Sequence, residues 1–104
     1  MSKNKTIDEL TNILAKALRH RIGSIVNEDE IYAEKYAKDA EVLIKEANKI
    51  SLKENWNQYD RKDIKDKLRK RVLFELEKKD FINNKKFEIM EVEMSKLLKE
   101  LRIN

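Results

Sequence analysis

Residues 6–26, TIDELTNILAKALRHRIGSIV, carry the clearest structural signal of the chain. Apolar residues recur there at spacings of three and four, which places them on one face of an α-helix. They are Ile7, Leu10, Ile13, Leu14, Ala17, Leu18, Ile22, Ile25 and Val26. Thr6 and Glu9 form a capping-box pattern, so we expect this helix to begin at Thr6. The polar residues 1–5 are expected to be disordered.

Three later stretches repeat the same periodicity. The four predicted helices cover residues 6–26, 28–50, 61–79 and 84–102. Asn27, with Glu30 three residues on, repeats the capping-box pattern at the start of the second helix. Asp60 and Asn84 are short polar residues placed to cap the third and fourth helices. The connector 51–60 lacks periodicity, and we expect Trp56 to anchor it by burial.

Composition fixes the fold class. The 104 residues include no proline and one glycine, Gly23, whereas folds rich in strands need such residues at their turns. Lys, Glu, Leu, Ile and Ala, which are frequent here, favour helix. The sequence therefore predicts an all-α fold, a compact bundle of about four amphipathic helices that forms a single domain over residues 1–104.

The chain has many carboxylates but few of the other residues that carry chemistry in enzymes. There is no cysteine, the one histidine is His20, and a phosphate-binding loop would need more than one glycine. His20, between Arg19 and Arg21, could act as a general base or contact a phosphate. No nucleophile or cluster of acids accompanies it in sequence, so it is best interpreted as a partly exposed helical histidine. Glu28, Asp29 and Glu30 could bind a metal, yet helix capping explains them better. We therefore expect no catalysis, no cofactor and no metal.

The predicted compartment follows from the absence of membrane signals. No apolar run approaches the length of a membrane span, and the N-terminus lacks a signal-peptide pattern. We expect a cytoplasmic protein that does not bind membranes.

The third predicted helix carries the strongest charge feature. Residues 61–79 hold nine basic and four acidic residues, whereas residues 28–50 hold four basic and seven acidic ones. The two helices could attract each other, the charge could be ordinary solvated surface, or the basic helix could bind an anionic partner. The candidate partner-binding or nucleic-acid-binding residues are Arg61, Lys62, Lys65, Lys67, Arg69, Lys70 and Arg71. On a helical wheel, Lys62, Lys65 and Arg69 share one side.

The same region resembles a known family. The pair Asn55-Trp56, then Arg61, the run Ile64-Lys65-Asp66-Lys67-Leu68-Arg69-Lys70-Arg71-Val72, and then Leu76 and Phe81 resemble the extreme C-terminus of the restriction (R) subunit of type I restriction–modification enzymes. Phe81-Ile82-Asn83 stands where that family usually has Tyr-Pro-Pro. The resemblance covers about half of the chain. It implies a helical docking region that holds the R subunit to the methyltransferase core, with nuclease and motor chemistry residing elsewhere.

Two functions are favoured by these observations, and a third, an enzyme with an unrecognised carboxylate site, would require a metal-dependent activity that disappears when Glu28 or Glu30 is changed. The first is a non-catalytic helical interaction module whose partner is a protein of a larger DNA-processing complex. The alternative is a small basic helical protein that binds nucleic acid. No small-molecule substrate is evident. Salt separates the two, because binding to phosphates weakens steeply as salt rises and docking through apolar surface does not.

Overall fold

The described part of the protein contains four helices. The computed structural model describes residues 3–27, 29–78 and 85–103. Within them lie α1 (Lys3–Val26), α2 (Glu30–Ser51), α3 (Gln58–Glu77) and α4 (Lys85–Glu100). No strand occurs in these ranges, and the predicted all-α bundle is confirmed.

The helix α1 lies at the centre of the arrangement. Its backbone closely approaches α2, α3 and α4, and α3 also approaches α4, whereas α2 approaches α1 alone among the described helices. Gly23 faces the ring of Tyr36 while Lys3, at the other end of α1, reaches the carbonyl of Asn55, so α1 and α2 run in opposite directions. The molecule is therefore layered, with α2 on one side of α1 and the α3–α4 pair on the other.

One hydrophobic core joins all four helices. The fully buried side chains of α1 include Ile7, Leu10, Leu14, Leu18 and Ile22, all members of the predicted stripe. Because α1 is covered on two sides, Thr11 and Ala15 are buried as well, and the Thr11 hydroxyl donates to the Ile7 carbonyl at 2.8 Å. Ile25 was also predicted to face the core, but it is 52% exposed because it lies in the last turn of α1.

The start of α1 differs from the prediction. Lys3, Asn4 and Lys5 are helical, so the helix begins three residues before Thr6, and only Met1 and Ser2 of the segment expected to be disordered lie outside the described residues. The Lys3 ammonium donates to Asp60 at 2.8 Å and to the Asn55 carbonyl at 2.7 Å. These bonds to a distant segment stabilise a first turn that local sequence patterns do not mark.

The caps of α2 and α3 also lie at other residues than predicted. Asp29 caps α2, because its carboxylate accepts from the backbone N–H groups of Ile31 and Tyr32. Asn27 instead accepts from the Asp29 N–H at 2.9 Å. Asn57 caps α3 and forms a reciprocal capping box with Asp60, which is therefore the third helical residue and not the cap. The predicted cap of α4, Asn84, lies outside the described residues.

Trp56 fastens the connector between α2 and α3. Its indole N–H donates to the Ser51 carbonyl at 3.0 Å, and its ring packs against the core. The side chain is half-buried, not fully buried as expected. It thus closes the edge of the core and also satisfies a carbonyl at the end of α2.

Replacing Trp56 by alanine is predicted to lower the free energy of unfolding by about 1–3 kcal/mol. Full burial would give about 3–5 kcal/mol, and the half-buried ring contributes less. Denaturant unfolding measures the difference. Tyr59→Ala is the control, since Tyr59 is 76% exposed in the next helix. Equal stabilities of the two variants would show that Trp56 does not anchor the connector.

Candidate functional site

The basic residues of α3 fall into separate groups according to the helix that they face. Lys67 and Arg71 lie toward α1 and both meet Asp8, at 3.5 and 3.3 Å. Arg71 also donates to the Asp8 backbone carbonyl at 2.8 Å. These two cations form ion pairs within the molecule and help to hold α3 against α1.

Arg69 lies on the opposite side of α3, toward α4. Its Nε and Nη2 atoms donate to the two carboxylate oxygens of Glu91 at 2.6 and 3.2 Å, a bidentate pairing. The hydrogen bonds from Arg69, with the positive charges of Arg69 and Lys65 nearby, lower the pKa of Glu91 below its usual value. The hydrogen bonds to Glu91 in turn raise the pKa of the Arg69 guanidinium. Glu91 is thus held in its charged form.

Three further cations of α3 border a groove between α3 and α4. Arg61, Lys62 and Lys65 contribute one wall, Lys99 and Ser95 the other, and Leu98 and Ile103 the floor, around a volume of about 560 Å³. No described carboxylate forms an ion pair with any of these four cations. We call this feature the cationic groove. Lys70 is exposed and does not line it.

The floor of the cationic groove is built by the turn that ends α4. The Ile103 N–H donates to the Leu98 carbonyl at 2.8 Å, and the Arg102 N–H donates to the Lys99 carbonyl at 3.1 Å. Arg102 adopts a left-handed φ of 58°. This is the Schellman arrangement, in which the chain reverses and brings two apolar side chains together. Leu98 and Ile103 are 2% and 1% exposed, so the floor is closed and apolar.

The structure therefore divides the seven residues singled out from the sequence. Arg61, Lys62 and Lys65 line the groove. Lys67, Arg69 and Arg71 make ion pairs within the fold. Of the three residues that share one side on a helical wheel, Lys62 and Lys65 line the groove, and Arg69 lies beyond it. Lys99, which completes the groove, was missed. A lysine in the last turn of a helix has an ordinary explanation in the helix dipole, so its sequence position gave no signal.

His20 lies where α1 meets α2. Its Nδ1 atom is 2.7 Å from the Lys16 carbonyl and must be the donor there, while Nε2 lies 3.3 Å from the Arg19 guanidinium. The ring meets Tyr36 edge-on at 5.9 Å. These contacts are those of a helical histidine in the packing between two helices.

Neither a cluster of metal ligands nor a membrane-spanning helix occurs in the described part of the chain. No group of three or more histidine, cysteine, aspartate and glutamate side chains is placed there to hold a metal ion. None of the described helices is both long and apolar enough to cross a membrane.

Comparisons with protein families, with characterised proteins and with solved structures found no match.

Replacing Arg102 by glycine is predicted to raise the free energy of unfolding by about 0.5–1 kcal/mol, because glycine adopts the left-handed conformation without the steric cost of a side chain. Arg102→Ala is the control: it removes the same charge and keeps the strain. Thermal unfolding compares the two. If the glycine variant is no more stable than the alanine variant, the turn proposed to form the groove floor is wrong.

Proposed function

We propose that this chain is a non-catalytic helical assembly module that docks an acidic segment of a protein partner in the cationic groove. The proposal rests on one observation: the four groove cations form no ion pair with a described carboxylate. The other helix-facing cations of α3 are matched by Asp8 and Glu91, whereas Arg61, Lys62, Lys65 and Lys99 surround one concavity with no described ion pair. Like charges around one groove repel one another, and an acidic ligand would relieve that repulsion.

The shape of the site favours a protein over a nucleic acid. The floor is apolar, and the walls include the methylene stems of lysine and arginine side chains, which can pack against apolar groups of a ligand. A phosphate backbone needs a continuous charged track and gains little from such walls. Lys67 and Arg71, which could extend a track along α3, face α1 and are already paired with Asp8.

The resemblance to the R subunit suggests a specific partner. Within the resembling run, Ile64, Leu68 and Val72 are fully buried and hold α3 in the bundle, so they are unavailable for docking. Its exposed cations are the part that could meet a partner. We propose the methyltransferase core of a type I restriction–modification complex, in the cytoplasm, as the first partner to test.

The test is a charge-reversal variant, Lys62→Glu with Lys65→Glu and Lys99→Glu. We expect it to bind the purified methyltransferase core at least about tenfold more weakly than the unmodified protein, because complementary charge becomes repulsive. The matched control reverses Lys35, Lys45 and Lys49 of α2, which are exposed and change the net charge equally. Titration calorimetry measures the affinity, and circular dichroism checks that both variants stay folded.

Three outcomes separate the alternatives. Weakened protein binding in the groove variant alone supports the proposal. Equal weakening in both variants would show that only net charge matters. Loss of duplex DNA binding in the groove variant, with protein binding unchanged and a steep salt dependence, would establish the nucleic-acid function instead.

A further inference from the structure

The cations on the α4 side of α3 repeat at helical spacing. Arg61, Lys65 and Arg69 are four residues apart, so successive members are about 6 Å apart along the helix axis. The first two line the cationic groove, and the third lies immediately beyond it, bound to Glu91. We call these three residues the cation ladder. A ligand that follows α3 through the groove would meet Arg69 next.

Glu91 shows how the cation ladder receives a carboxylate. It projects from α4. The two helices run in opposite directions along their contact, because Arg69 faces Glu91 while residues 61–65 share the groove with residues 95–103. The pairing with Arg69 is bidentate. The Glu91 side chain is 52% exposed, so solvent or a competing carboxylate can reach the guanidinium. The internal pairing is therefore exchangeable.

We propose that the ligand of the cationic groove is an acidic α-helix whose carboxylates repeat once per turn, and that Glu91 occupies the place of one of them. The inference rests on the proposed function and deepens it. Carboxylates four residues apart on one helix share its face and match the spacing of the cation ladder. Two of them would meet Arg61 and Lys65, and a third would compete with Glu91 for Arg69. Lys62 and Lys99 flank the same path.

Spacing, and not charge alone, is what this inference adds. An acidic segment without helical periodicity would bring its carboxylates to the cation ladder out of register, and each mismatch leaves a cation unpaired. The cation ladder therefore selects among acidic partners. At Arg69, a partner carboxylate must bind the guanidinium more tightly than Glu91 does.

The experiment uses two labelled alanine-based peptides of equal length and composition, each shown to be helical by circular dichroism. The first, the ladder peptide, has glutamate at every fourth position. The second, the scattered peptide, has the same glutamates distributed around the helix. Fluorescence anisotropy is expected to show that the ladder peptide binds at least about fivefold tighter.

The protein variants test Glu91 directly. Glu91→Gln removes the carboxylate that α4 presents to Arg69 and leaves only Asp66, at 3.8 Å, beside the guanidinium. It is expected to tighten binding of the ladder peptide by a further factor of about three, the order expected for an exposed ion pair. Glu88→Gln is the matched control, because Glu88 is an exposed residue of the same helix and loses the same charge. It should leave the affinity close to that of the unmodified protein.

Each failure has a distinct meaning. Equal binding of the two peptides, or equal effects of the two glutamine variants, would overturn the inference while leaving acidic docking in place, provided that binding still requires Lys62, Lys65 and Lys99. Absence of peptide binding also overturns it. If the methyltransferase core in addition bound the groove variant and the α2 control variant equally well, the proposed function would fail too.

Discussion

The burial of α1 on two sides is the constraint on which the rest of the structure depends. Leu10, Leu14 and Leu18 are completely buried because α2 covers one side of α1 and the α3–α4 pair covers the other. Removing these side chains from water is the main driving force for bringing the helices together. It also fixes the rotation of α3 about its own axis. That rotation buries Ile64, Leu68 and the apolar residues in line with them along the helix, and it leaves cations on two flanks.

The rotation of α3 decides which of its charged side chains form ion pairs. The flank beside α1 meets Asp8, and the middle of the flank beside α4 meets Glu91. Farther toward the start of α3, the opposing surface is the last turn of α4, which offers Lys99 and an apolar floor in place of carboxylates. The cationic groove thus arises where two helices pack without charge complementarity. Such local mismatch costs stability and is reasonable at a binding site.

Sequence reasoning predicted the helices better than the site. Apolar periodicity is a local property, so the stripes that bury Leu14 or Leu68 could be found directly. Caps were less predictable because competing residues are close together: Asn57 caps α3 although Asp60 has suitable chemistry. The groove was not predictable in full, since it requires Lys99 and Ile103 to meet residues more than thirty positions earlier. Only the packing of α4 decides that Arg69 forms a bidentate pair with Glu91, while Lys65 acts on the same carboxylate through its charge alone.

We propose that the groove lysines, and not the other surface lysines, dock an acidic partner. Acetylation of the protein alone and after mixing with the purified methyltransferase core, followed by mass spectrometry, tests this most directly. Lys62, Lys65 and Lys99 should lose reactivity in the complex, while Lys35, Lys45 and Lys49 on α2 keep theirs. Protection of the α2 lysines with the groove lysines still reactive would contradict the account.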